Sequence, residues 1–228
     1  MDAAVKGQPE IKATPYLEVL KPGDIPHLLL PGEMGAVLDW VVTDKDGKIT
    51  SQGMKRSESF VRQFLELLWI QCSPIGEIVG YPVRDTSNTL RTLLLPTMYH
   101  WKVDAIAADI NYGLVVGTDA TAPTINDYKL GTIILHDAAP PTAGRMQYGA
   151  VAFGAPSADA TTSQFTVTRN FANASGGAIT VNEIGMYVIG ARLTVLYYFM
   201  TIRDVIGGGI AVPNGQTLTI NYRPQAVI

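Results

Sequence analysis

SQFTVTRNFANASGGAITVNEIGMYVIGARLTVLYYFMTIRDVIGGGIAVPNGQTLTINY, residues 163–222, is the stretch that decides the fold. It reads as long strands in series, over 163–173, 178–189, 193–205 and 216–223. In the first, Phe165, Val167 and Phe171 fall at alternate positions, with Thr166, Thr168 and Asn170 between them. Strand side chains point to opposite faces in turn, so this pattern sets one face on a core and the other toward water. Asn173-Ala174-Ser175-Gly176-Gly177 supplies residues that tolerate positive φ and make a turn.

The second strand repeats the pattern with Ile179 and Val181, then slips phase at Glu183-Ile184-Gly185, where Ile184, Met186 and Val188 take over. A slip at a glycine fits a β-bulge, and a strand buried on both faces gives the same pattern. The third strand does not alternate: Leu193, Val195, Tyr197 and Phe199 face one way, Leu196, Tyr198, Met200 and Ile202 the other. Both faces then need cover, from a neighbouring subunit or from a second layer of the same chain. The run is too short for a membrane helix of ~20 residues, and its aromatic and β-branched residues favour a strand. Val212-Pro213-Asn214-Gly215-Gln216 is a turn into a last strand, where Leu218, Ile220 and Tyr222 alternate with Thr217, Thr219 and Asn221. Arg169, Glu183 and Arg203 interrupt these apolar runs. A buried charge needs a partner, so they are read as structural ion-pair candidates, with Glu183 pairing an arginine across strands.

Moving outward, residues 1–35 carry proline at positions 9, 15, 22, 26 and 31, which forbids a regular helix or central strand. They read as an extended arm held by an adjacent subunit or wrapped on its own domain, with Tyr16, Leu17, Leu28 and Leu29 as anchors. Residues 36–228 form the second unit, a β-sandwich with a helix over 56–71. Phe60, Val61, Phe64, Leu65, Leu67 and Leu68 recur there at helical spacing, with Ser57 or Ser59 as cap and Ser73-Pro74 as stop. A hairpin over 35–50 turns at Asp44-Lys45-Asp46-Gly47; a calcium loop would need a closing glutamate that is missing. Further strands are expected over 78–84, 89–95, 111–117 and 145–155, with 127–136 either helical or extended. Short strands spaced by Gly, Pro and Asn turns specify a mainly β chain, an antiparallel β-sandwich of jelly-roll or immunoglobulin-like type.

Composition narrows the function. The chain has 228 residues, 47% hydrophobic and only 16% charged, against ~25% charged in ordinary soluble domains. A surface of small neutral residues suits a protein packed against copies of itself. The net charge of −3 and lack of a basic cluster argue against nucleic acid as a partner. The lone Cys72 excludes an internal disulfide and a thiolate metal site. The N-terminus has no apolar signal segment, so synthesis and assembly in a cytoplasm are expected. His27, His100 and His136 lack metal-motif spacing, no Gly-x-Ser-x-Gly elbow occurs, and Gly207-Gly208-Gly209 precedes no helix. Asp119, Asp127 and Asp137 gather near one loop and are either solvated or a cation site. Trp101, Tyr112 and Tyr148 are either core or a sugar platform. No enzyme, cofactor, metal or membrane role is expected.

Several stretches carry a resemblance. They include Arg56-Ser57-x-Ser59-Phe60-Val61-x-x-Phe64, Asp85-Thr86-Ser87-Asn88-Thr89-x-Arg91 and Gly113-Leu114-x-Val116-Gly117-Thr118 running on to Pro123-Thr124-x-x-Asp127-Tyr128-x-Leu130. Gln147-Tyr148-Gly149, Thr168-Arg169-Asn170-Phe171, Val181-Asn182-Glu183-Ile184-Gly185-Met186-Tyr187, Arg203-Asp204-Val205 and Val212-Pro213-Asn214-Gly215-Gln216-Thr217-Leu218 continue it. Together they resemble a group of tailed-bacteriophage virion structural proteins, over most of residues 56–223; the arm before residue 36 lies outside the resemblance. It implies a subunit on the capsid or at the head–tail junction or tail, in a decoration, cement or connector role. Its partners would be copies of itself and virion proteins such as the major capsid, portal or tail proteins. Leu196, Tyr198 and Met200 join Tyr16, Leu17, Leu28 and Leu29 as subunit-contact candidates. The rival reading is a host-recognition or carbohydrate-binding module of the same fold.

Overall fold

The computed structural model describes residues 29, 33–57, 60–72, 81–93, 101–138, 142–192 and 195–227. The last strand sets the pattern: Leu218, Ile220 and Tyr222 are fully buried while Thr219, Asn221 and Arg223 lie on the other face. The elements, in chain order, are β1 (Met34–Thr43), β2 (Ile49–Ser57), α1 (Arg62–Cys72), β3 (Tyr81–Arg84), β4 (Leu90–Leu93), β5 (Gly113–Gly117) and β6 (Gln147–Tyr148). They continue with β7 (Ala152–Phe153), β8 (Ser157–Ala158), β9 (Thr162–Gln164), β10 (Val167–Ala172), β11 (Ile179–Arg192), β12 (Val195–Val212) and β13 (Thr217–Val227).

The chain is mainly β, and every ladder between its named strands is antiparallel. The larger sheet has eight strands, with β2-β1-β13-β10-β6 as its spine and β7, β8 and β9 attached at its margins. The second sheet is β12-β11-β5, and β3-β4 stands as a separate hairpin. A single buried apolar cluster joins the two layers, with Leu38, Phe171 and Tyr222 from one side and Leu114, Ile184 and Phe199 from the other. This is the sandwich arrangement that the alternation demands.

The expected hairpin at 35–50 is present but longer, because β1 begins at Met34 and β2 runs to Ser57. Its turn works as a plain Asp-Gly turn. Asp44 Oδ1 accepts the backbone N–H of Asp46 and Lys48, and Gly47 takes φ +79°. The extension of β2 moves the helix start from Arg56 to Arg62. Arg56 is drawn away by Glu33 at 2.8 Å, and Ser57 by the hydroxyl of Tyr222. The helix is fastened by Arg62 N–H to the Ile125 carbonyl instead of by Ser57; Ser59 lies outside the described residues. Its buried face carries Gln63 and Leu67, while Leu65 and Leu68 are exposed, so the inward stripe is rotated from the expected one. Residues 127–136 are extended with isolated bridges, Gly117 to Ile133 and His136 to Met146. The expected strand over 163–173 is broken into β9 and β10, and Phe165 between them leaves the core.

Both readings of the phase slip hold. Glu183 to Gly190 is buried throughout, and β11 also shifts register against β12 on either side of Glu183-Ile184-Gly185. Val181 pairs Ile210 and Glu183 pairs Val205, so Asn182 alone faces Ile206-Gly207-Gly208-Gly209. This enlarged bulge needs Gly208 at φ +82° and Gly209 at φ +68°. The three glycines are thus a bulge within β12.

Candidate functional site

Four groups of side chains are candidates: three buried polar clusters and one open apolar cleft. The first cluster centres on Arg203. Gly185 pairs Arg203 and Glu183 pairs Val205, so the Glu183 and Arg203 side chains are diagonal neighbours on one face. Arg203 Nε donates to Glu183 Oε2 at 2.9 Å, Nη1 to Asp127 Oδ2 at 2.8 Å and Nη2 to Asp119 Oδ2 at 3.0 Å. Glu183 also accepts the backbone N–H of Gly131 at 3.0 Å and Thr132 at 2.9 Å. The loop 118–132 is therefore clamped onto the second sheet, and the hydroxyl of Tyr187, accepting Leu130 N–H at 2.6 Å, adds a further tie. Gly117 lies opposite Glu183, and a methyl there would overlap the carboxylate.

The electrostatics follow from this wiring. Asp119 sits below the ordinary carboxylate value because Thr121 donates its N–H and hydroxyl and Arg203 adds its charge. Burial drives Asp127 upward, yet Thr124 and Arg203 together bring it below the ordinary value. Arg203 is itself pulled down by burial and raised more by Glu183 and Asp127. The expected Glu183–arginine pair thus has Arg203 as its partner. Asp119 and Asp127 hold the Arg203 guanidinium, and Asp137 stands apart with Thr142 and Arg145. Among the described residues no group of His, Cys, Asp or Glu is arranged to hold a metal ion.

Arg169 corrects the ion-pair expectation: among the described residues it binds no carboxylate. Its five N–H donors go to five backbone carbonyls, those of Gly149 (2.8 Å), Tyr112 (3.3 Å), Leu114 (2.8 Å), Ile106 (3.2 Å) and Asp109 (2.6 Å). The guanidinium lies 4.9 Å from the centre of the Tyr148 ring. A fork of fixed donors matches converging carbonyls better than it matches one carboxylate. Burial lowers its proton affinity, but it remains a cation at any ordinary pH.

The third cluster bridges the sheets. The Tyr222 hydroxyl donates to Asp204 Oδ2 at 2.6 Å and also contacts Ser57, and all three residues are buried. Lys55 Nζ approaches Asp204 Oδ1 at 3.5 Å and donates to the Val205 carbonyl at 3.1 Å. Burial, then Asp204, push the Tyr222 phenol well above its ordinary value.

The cleft is different in kind. It encloses about 930 Å³ where the sandwich opens at one end, on the core-facing side of the larger sheet. One wall is aromatic: Phe60 meets Phe64 edge-on at 4.6 Å, and Phe64 meets Trp101 at 5.1 Å. The other wall is the sheet end, with Met34, Ala36, Phe165 and Pro224. Its rim leaves large apolar groups in water: Met34 is 73% exposed, Leu65 64%, Ile125 59% and Phe153 50%.

Among the subunit-contact candidates, Met200 and Leu29 are corrected. Met200 is wholly buried in the chain's own core, and Leu29 is buried against Gly35. Both faces of β12 are buried within this chain from Phe199 to Ile202. Toward the hairpin tip cover is lost, so Leu196 is exposed; Tyr198 is half-buried and stacks on Tyr112 at 6.2 Å. Tyr16, Leu17 and Leu28 lie outside the described residues, as do His27 and His100. His136 accepts the Tyr148 N–H, and Tyr148 and Tyr112 are core residues, leaving Trp101 as the aromatic that opens to the cleft.

No protein-family model matches this chain, and neither a curated protein nor a solved structure shows detectable similarity to it. Among the described residues no helix is long and apolar enough to cross a membrane.

Proposed function

We propose that this chain is a structural subunit of a tailed-phage particle. It works by burying apolar surface against copies of itself and against other virion proteins, such as the major capsid, portal or tail proteins. The observation that carries the reading is the apolar cleft with its exposed rim. The charged side chains support it from the other direction: Arg203, Arg169, Glu183 and Asp204 are spent inside the fold on tying loops and sheets together. The test is the solution mass of the full chain across a hundredfold concentration range. Growth to a defined oligomer, reduced by the pair Ile125→Asp and Phe153→Asp, is the expected result. A chain that stays single at the highest concentration would sink the assembly role.

One observation favours the rival, a sugar-binding module. A polar hollow of about 440 Å³ lies between α1 and the β3–β4 turn, with Arg62, Glu66, Asn88, Asn126 and Tyr128 on its walls. Carboxamides, a guanidinium and a phenol around one hollow suit a polyhydroxylated ligand. Saturable glycan binding lost in Asn126→Ala would support that role.

A further inference from the structure

This inference rests on the assembly reading and names what enters the cleft. Side chains of β1 alternate between faces, so Met34 and Ala36 point to the cleft side while Gly35 and Val37 point to the outer face of the larger sheet. The place where a Gly35 side chain would stand is taken by Leu29, whose Cδ2 lies 3.0 Å from the position of such a Cβ. Glu33 continues on the same side: it pairs at 2.8 Å with Arg56, which stands opposite the outward-facing Val37. The Glu33 carbonyl meanwhile accepts the Val227 N–H at 3.0 Å. Leu29 and Glu33 therefore both lie on the outer face ahead of β1. The cleft opens on the opposite face of that sheet.

Residues 1–28 hold the segment Pro15-Tyr16-Leu17-Glu18-Val19-Leu20-Lys21-Pro22. Prolines at both ends keep a helix from running through it and favour an extended form. Four of the six residues between them are large and apolar, which is what a long apolar cleft takes up. The twelve peptide steps from Leu17 to Leu29 span at most about 40 Å, roughly the thickness of a domain this size.

We propose that the cleft of one molecule receives residues 16–20 of a neighbouring copy's leader. The donor surface is the outer face, and the acceptor is the cleft on the core side. The contact is therefore head-to-tail, and its repetition closes a ring or extends an array.

The test uses the full chain and an amine-reactive cross-linker, since Lys21 follows the segment and Lys102 lines the cleft. Cross-linked products are separated by size in denaturant and their peptides identified by mass. A Lys21–Lys102 link in bands of two or more chains, missing from the single-chain band, is the expected result. The same link in the single-chain band puts each molecule's own leader in its own cleft and overturns the proposal. Its absence from every band, while other lysine pairs link, overturns it too. Solution mass of the same sample separates the two failures: oligomers lacking the link sink only the leader's role, and a solitary chain sinks the assembly reading as well. Leu17→Asp in the full chain is expected to raise the concentration at half-association at least tenfold, with the melting temperature of the dilute, unassociated chain unmoved. Unchanged association would overturn the leader's role.

Discussion

Replacing Arg203 by methionine would leave Glu183 buried beside two more carboxylates with no cation among them. Removing one partner of a buried ion pair costs about 3–5 kcal/mol, so Arg203→Met is expected to lower the urea midpoint by a corresponding amount. Arg169 invites a subtler exchange. Lysine keeps the charge but brings three donors where five carbonyls wait. Each stranded carbonyl costs about 1–3 kcal/mol, so Arg169→Lys should destabilise the fold by roughly 2 kcal/mol or more in the same measurement. The acid range has its own signature. Asp119 and Asp127 both lie below their ordinary value of 3.8 in the folded chain. A depressed carboxylate contributes stability above its unfolded value and loses it as pH falls through the lower, folded one. Denaturant midpoints should hold from pH 7 down to about 5 and fall below about 4. In Asp127→Asn that fall should be shallower, and an equally steep one would remove this carboxylate from the account.

Strand β12 carries the clearest test among the elements. Gly209 holds a left-handed φ, and a methyl there would strike Asn182 and Thr180. Gly207 has neither constraint, with open space at its Cβ position. Gly209→Ala should cost about 1–3 kcal/mol through strain and overlap, whereas Gly207→Ala should be close to neutral by thermal melting. Equal effects would mean the bulge is not held as described. The elements also explain what could be read in advance. Leu218, Ile220 and Tyr222 announced β13 because one face of that strand is buried and the other is not. The helix start could not be read, because Arg56 and Ser57 are claimed by Glu33 and Tyr222, residues distant in sequence. A partner for Glu183 was demanded by burial alone. That the partner is Arg203 follows from the register of β11 against β12, and that Asp119 and Asp127 join it depends on a loop folding over the sheet. Arg169 looked like half of an ion pair because a sequence lists side chains and hides converging carbonyls.

At the scale of the molecule, the cleft was the least legible feature. Phe60, Trp101, Phe153 and Phe165 come from four separate stretches, and no periodicity links them. Its contribution is one of apolar area removed from water, worth ~25 cal/mol for each Å² covered. Association through it should therefore tolerate salt. Raising sodium chloride from 0.1 to 1 M is expected to leave the oligomer intact or tighten it, whereas dissociation would point to charge as the glue.

The clamp on loop 118–132 has one more consequence. Where two aspartates and a glutamate meet, many proteins depend on a dissolved cation that can be stripped away. Here the positive group is Arg203, built into the polypeptide. Dilution, chelators and ion-poor surroundings have nothing to extract from this clamp, so a melting curve in EDTA should superimpose on one recorded in millimolar calcium.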